Sequence, residues 1–117
     1  MTELVLASAS PARLSLLLNA GVTPRVLVSD VDEPALIRTF SALGPADLCR
    51  ELARAKAQSV AQQFGPDDDV VVVGCDSMLE MDGVAHGKPA NAAEVKERWR
   101  AMAGNHGTLH TGHWLIR

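Results

Sequence analysis

Ser8-Ala9-Ser10-Pro11-Ala12-Arg13 sets two hydroxyls and a guanidinium directly after the short apolar run Leu4 to Ala7. A helix starting there turns free backbone N–H groups and the positive end of its dipole towards an anion. The same residues also make an ordinary helix start, with Ser10 as N-cap and Pro11 as first helical residue. Asp76 is the second candidate. It follows the β-branched run Val70–Val73 and Gly74-Cys75, where a buried strand would emerge. Ligand sites in parallel sheets gather at the carboxyl ends of strands, and a carboxylate there is costly to desolvate without a partner or a task. A side-chain cap on a turn is the plain alternative.

Lys88 sits in Gly87-Lys88-Pro89, on a constrained loop, and Lys56 lies among Ala53, Ala55 and Ala57 on a helix. Small neighbours let a lysine stem lie along a packed surface, although each lysine alone also reads as a solvated one. Glu33 and Asp32 offer oxygen ligands for a divalent cation, or a polar turn before Pro34. His106, His110 and His113 cluster, but Gly107, Thr111 and Gly112 oppose the helix that an i, i+4 zinc pair requires. On a strand, His110 and His113 face opposite sides. Asp67–Asp69 reads as a solvated loop.

These residues need elements to hold them. Leu4–Ala7 reads as a buried strand, followed by a helix whose Leu14, Leu16, Leu17 and Leu18 face the core and which stops at Gly21. Val26–Val28 suggests a second strand, ending in the acidic stretch Asp30 to Pro34. A long helix is expected from Pro45 to about Phe64, with Leu48, Leu52, Ala55 and Ser59 at helical spacing and Gly65-Pro66 closing it. Val70–Val73 has the pattern of a central strand buried on both faces. Asp82-Gly83 signals a hairpin between Leu79–Met81 and Val84–His86. Asn91 and Glu94 form a capping box for a helix ending at Gly104, and Thr108–Ile116 reads as another strand. Strands alternating with helices predict an α/β domain.

Composition narrows the class. With 117 residues, 47% of them hydrophobic, the chain is long enough for one core and too short for two. Aromatics make up only 3%, so the core must be Ala, Val and Leu. A net charge of −3 argues against bulk nucleic-acid binding, which needs a basic face. Cys49 and Cys75 lack metal-ligand spacing and read as buried reduced thiols. No basic stretch precedes Leu4–Ala7, which is too short for a signal sequence, and no segment approaches a membrane span. The cytoplasm, without membrane partners, is the expectation.

Taken in order along the chain, Leu6-Ala7-Ser8-Ala9-Ser10-Pro11-Ala12-Arg13, Asp32-Glu33, Leu52-Ala53-Arg54-Ala55-Lys56-Ala57, Val73-Gly74-Cys75-Asp76-Ser77, Gly87-Lys88-Pro89, and Gly104-Asn105-His106 with His110-Thr111-Gly112 resemble the Maf family of nucleotide pyrophosphatases. The resemblance covers essentially the whole chain. It implies the Maf/Ham1 fold, a mixed sheet flanked by helices with a substrate cleft. It implies hydrolysis of nucleoside triphosphates to monophosphate and pyrophosphate, using Mg²⁺ or Mn²⁺, in a cytoplasmic protein that is often a homodimer. The family's proposed role is removal of non-standard or surplus nucleotides, with a link to cell-division arrest. Carried over by position, Asp76 matches the catalytic carboxylate, Ser8, Ser10 and Arg13 the phosphate-contacting turn, and Lys56 and Lys88 the lysines near the triphosphate. Glu33, with Asp76, matches the metal position.

Ala12 stands where many members have Arg, and Ser77 where many have Thr. Both positions are associated with base preference in the family, and this pairing fits neither the dTTP/UTP group nor the group with Trp at the Ala12 position. Family members also continue for roughly another half domain. The resemblance therefore implies a single Maf-like domain, residues 1–117, that is incomplete at its C-terminus and weakly active or inactive alone. Its terminal strand, Trp114-Leu115-Ile116, would be unpaired and prone to association. A non-catalytic nucleotide-binding or regulatory module is the alternative function.

Overall fold

A computed structural model describes residues 1–87 and 89–117; Lys88 lies outside the described residues. The first strand, β1 (Glu3–Ala7), leads into α1 (Pro11–Asn19) and a two-residue β2 (Arg25–Val26). Two helices follow, α2 (Glu33–Thr39) and α3 (Pro45–Ala61). The chain then forms the long β3 (Val70–Met81), β4 (Val84–His86), α4 (Ala92–Met102) and β5 (Thr108–Ile116). The expected α/β architecture with a mixed sheet is what forms.

β3 organises the sheet. Its first residues, Val70 to Gly74, pair in parallel with β1, and its last, Leu79 to Met81, pair antiparallel with β4. β5 runs antiparallel along Val72 to Glu80. That span overlaps both other partners, so β5 takes one edge of β3 while β1 and β4 share the other. Among the described residues, the shared edge has no strand neighbour between Gly74 and Leu79. Asp76 and Ser77 lie in that gap.

This corrects two expectations. The strand does not end near Gly74; it continues through Asp76 to Met81 because β5 supplies pairing along its length. β1 stops at Ala7, opposite Gly74, so no β1 backbone lines the edge beside Asp76, whose side chain is itself buried. Trp114, Leu115 and Ile116 are likewise not unpaired, since they sit in register with Gly74, Val73 and Val72. The other edge of β5 meets no strand among the described residues.

α3 covers the sheet. Its buried residues are Leu48, Cys49, Leu52, Ala53, Ala57 and Val60. The expected stripe is half right: Ala55 and Ser59 are only partly buried, and Ser59 Oγ instead donates to Asp30 Oδ1 at 2.9 Å. Val5, Ala7, Ala57, Val60 and Val72 form one core cluster, and Leu48, Cys49, Leu52 and Met78 another. Cys49 and Cys75 are both buried free thiols.

Elsewhere local signals and tertiary contacts diverge. α1 starts at Pro11 as expected, but none of its residues is buried and Leu16 is 69% exposed, so its leucine face meets no core. β2 stops at Val26, before Leu27 and Val28. The acidic stretch is a helix start rather than a turn: Asp32 Oδ1 accepts the Ala35 N–H, capping α2, and Pro34 occupies its first turn. The hairpin forms as read, with positive φ at Asp82 and Gly83. At α4, Asn91 accepts from Glu94 N, but the Glu94 carboxylate accepts from Ala90 N, one residue earlier than a capping box requires.

Candidate active site

Ser10 caps α1, its Oγ accepting the Arg13 N–H at 3.3 Å, while its own N–H donates to Ser8 Oγ. These bonds fold the chain tightly after β1 and send the Arg13 side chain across to β3. Arg13 Nη1 donates to Ser8 Oγ at 3.1 Å and to Cys75 O at 3.3 Å, and Nη2 donates to Ser77 Oγ at 3.1 Å. The Cys75 carbonyl lies in the unpaired stretch of the β3 edge, so the guanidinium occupies the place of a missing strand. Ser77 Oγ also shares a 2.9 Å hydrogen bond with Thr111 Oγ1 on β5.

Lys56 arrives from the other side, on α3. The helix approaches the sheet closely because Gly74 and Gly112 have no side chains. A Cβ on Gly74 would collide with Ala53 O and lie 2.8 Å from Ala57 N, and one on Gly112 would lie 2.6 Å from Cys49 C. At that spacing Lys56 Nζ sits 2.9 Å from Asp76 Oδ1 and 2.5 Å from Glu33 Oε1. One ammonium thus joins two carboxylates, leaving a net negative charge.

Burial pushes the Asp76 carboxyl above the ordinary aspartate value, and the nearby Glu33 adds to this against the opposing pull of Lys56 and Arg13. Burial alone would lower Lys56, but hydrogen bonds and charge from Glu33 and Asp76 outweigh it and raise its pKa. The two shifts agree with a shared cation: two carboxylates stabilise one ammonium, while half an ammonium does not fully offset the burial of Asp76. Asp76 Oδ2 is buried, and no hydrogen-bond partner reaches it among the described residues. Such an oxygen is costly to leave unmatched. Burial, followed by the Asp76 charge, raises Cys49 to about 11, so that thiol is neutral and unreactive at neutral pH.

A cavity of about 850 Å³ opens over this group, lined among others by Ser8, Arg13, Glu33, Lys56, Asp76 and Ser77. Its volume falls in the range of small-ligand sites. Ser10 also lines it, whereas Ala12 is exposed on the first turn of α1. Asp32 reaches the cavity wall but uses a carboxylate oxygen as a helix cap. Thr111, which supports Ser77, had no assigned role in the sequence; its only signal was a place in the His110-Thr111-Gly112 motif. His110 lies on β5 and pairs with Glu80 at 2.7 Å. No group of three or more His, Cys, Asp or Glu residues placed to hold a metal occurs among the described residues.

The carboxylates can nevertheless take part in a hard-cation site. Mg²⁺ is commonly held by one or two carboxylates together with substrate phosphates. Glu33 and Asp76, both in the cavity wall, carry such carboxylates, so the residues present fit a divalent cation that arrives with a phosphorylated ligand.

The model of the family described as Maf-like protein matches residues 3–117. A nucleoside triphosphate pyrophosphatase of Rhodococcus opacus is 52% identical over 120 residues, covering 100% of this chain and 56% of the relative. The protein of the same name from Mycobacterium marinum is 50% identical over 123 residues, covering 100% of this chain and 57% of the relative. That from Streptomyces coelicolor is 55% identical over 112 residues, covering 95% of this chain and 52% of the relative. The chain spans about half the length of these curated relatives. With its family match running from β1 to the end of β5, the chain belongs to the Maf-like family.

Proposed function

We propose that this chain carries the reaction centre of a nucleoside triphosphate pyrophosphatase, which cleaves the bond between the α- and β-phosphates. The carrying observation is Asp76, a buried carboxylate in the wall of a small-ligand-sized cavity, with Lys56 on one oxygen, no hydrogen bond to the other among the described residues, and Arg13 close by. Asp76 is the general base. It takes a proton from water as the water oxygen bonds to phosphorus and the bond to the leaving pyrophosphate breaks. A positioned base of this kind contributes about 10²–10⁴-fold.

Lys56 gives up its bond to Glu33 to meet phosphate oxygens, and Arg13 offers the N–H groups that Ser8, Cys75 and Ser77 leave free. Lys88 is assigned a phosphate contact by its motif alone. These cations neutralise charge that builds up as the phosphoryl group is transferred. Glu33 and Asp76 would hold a divalent cation, Mg²⁺ or Mn²⁺, which when bound neutralises phosphate charge. Ser77 and Ala12 are proposed to bear on base choice. The setting is cytoplasmic, the family's usual one; among the described residues no helix is long and apolar enough to cross a membrane.

The test is a panel of nucleoside triphosphates assayed with Mg²⁺ for pyrophosphate and monophosphate. It is run on this chain and on a version extended with the matching C-terminal segment of a relative. Asp76→Asn is expected to lose at least about a hundredfold in turnover, while calorimetry shows the triphosphate still bound. Release of orthophosphate, or normal turnover by Asp76→Asn, would contradict the assignment. Binding without product in both versions would favour the nucleotide-binding module.

A further inference from the structure

α4 has no buried residue, so the core does not hold it. Among the described residues, the hydrogen bonds that its side chains make outside the helix go to Gly87 and Ala90. Arg98 Nη1 donates to Gly87 O at 2.6 Å, and Nη2 donates to Glu94 Oε1 at 3.0 Å. The other oxygen of the same carboxylate, Oε2, accepts the Ala90 N–H at 2.9 Å. One ion pair, a single helical turn in span, therefore holds both Gly87 and Ala90. Gly87 is also part of the wall of the main cavity.

An isolated i, i+4 pair on a helix surface contributes little and needs no special partner. This pair differs in two ways. Only 15% of the Arg98 side chain is exposed, and its short contact to Gly87 is charge-assisted, the stronger class of hydrogen bond. Glu94 also reaches past Asn91 to Ala90, so its carboxylate serves the incoming segment rather than the helix cap. Asn91 already caps α4 by accepting from Glu94 N.

We infer that Glu94 and Arg98 form a clamp that holds Gly87 and Ala90 and so fixes Gly87 at the rim of the nucleotide cavity. They are positioning residues, touching those two residues and not the ligand. The functional part of this inference rests on the triphosphate reading above; the clamp itself does not.

The experiment compares Arg98→Gln, Arg98→Lys and the charge swap E94R/R98E with the parent chain. Hydrogen exchange of the amides in residues 84–91 reads the clamp, and calorimetry with a methylene-bridged nucleoside triphosphate and Mg²⁺ reads its consequence. Arg98→Gln should speed exchange and weaken binding, each about tenfold, as expected for loss of one charge-assisted bond. Arg98→Lys keeps one charged donor and should recover part of both. The swap rebuilds an ion pair but leaves no donor for Gly87 O and no acceptor for Ala90 N, so it should behave like Arg98→Gln. Thermal midpoints within a few degrees of the parent show that the fold persists.

Parent-like exchange in either Arg98→Gln or the swap overturns the clamp. Fast exchange with unchanged binding overturns its role at the cavity. A parent chain that binds no triphosphate sinks the functional reading alone, and exchange still decides the clamp. If Arg98→Gln fails to fold, Arg98→Lys carries the same comparison at smaller amplitude.

Discussion

α3 and α4 each serve one side of the same cavity, and they do so by opposite means. α3 is seated by close packing: Leu52, Ala53, Ala57 and Val60 are almost wholly buried, and two glycines let its backbone touch the sheet. That seat delivers Lys56 to Asp76. α4 has no fully buried residue and, among the described residues, is tied to the cavity by the bonds of Glu94 and Arg98 to Gly87 and Ala90. Packing fixes a charge to within a fraction of an ångström because interiors tolerate few displacements. Polar links hold a rim that can still adjust.

The largest break in this comparison comes from Gly74→Ala. The new Cβ meets the backbone of α3 at Ala53 and Ala57, not the end of a flexible side chain. The helix must lift, so the cost should reach or exceed about 3 kcal/mol, the upper end for overpacked cores. Lys56 would lift with it, and nucleotide hydrolysis should be lost beyond what the fall in stability explains. Gly65→Ala is the control, since its nearest neighbour is Asp68 Oδ2 at 3.8 Å. If chemical denaturation places Gly74→Ala and Gly65→Ala together, close approach is not what seats α3.

Lys56→Gln tests what the seat is for. It removes the cation between two carboxylates and leaves a shorter, neutral amide. Turnover should fall by about a hundredfold, the scale for one lost charge-stabilising donor. The pH profile gives a sharper reading. In the proposed reaction Asp76 must be ionised to act as base, so activity should fall as pH drops through its pKa, which burial already raises. Without Lys56 that pKa rises further, so the acidic limb should move to higher pH. The stability linkage has the opposite sense to that of a paired surface aspartate. A raised folded-state pKa means that the folded chain binds the proton more tightly than the unfolded one. The Asp76 contribution therefore declines as pH rises from the ordinary aspartate value through the folded one. An acidic limb that stays put in Lys56→Gln would remove Lys56 from the electrostatics of Asp76.

Part of this site is legible in the sequence because its signals are local. Ser10-Pro11 marks the helix start, and Asp76 stands out as a carboxylate following a β-branched run. What leaves the sheet edge open beside Asp76 is not local. It depends on β1 ending opposite Gly74 and on β5, some thirty residues further on, extending β3 past it. Lys56 by itself reads as a solvated lysine, because its burial is set by glycines on two strands and not by its own helix. α2 carried a readable signal in Asp32 and Pro34, a cap followed by a first-turn proline, which the surrounding acidic residues disguised as a turn. The exposed leucines of α1 teach the converse. A helical apolar stripe shows which face seeks cover and is silent on what covers it.

The smallest effect should come from Thr111→Val, at the point where β5 meets the arginine side of the cavity. Among the described residues its hydroxyl hydrogen-bonds to Ser77 Oγ, which is the third acceptor of Arg13. Valine keeps the shape, so the loss is one neutral hydrogen bond near the surface, about 0.5–1 kcal/mol. Arg13 keeps Ser8 Oγ and Cys75 O, two contacts that fix the guanidinium without Ser77. Affinity for triphosphate should then change by less than about fivefold, the equilibrium equivalent of that loss. A drop as large as that of Lys56→Gln would mean that Ser77 does more than brace Arg13, and that β5 contributes to ligand binding directly. The arginine side would then join α3 as a packed wall whose parts fail together, and α4 alone would remain adjustable.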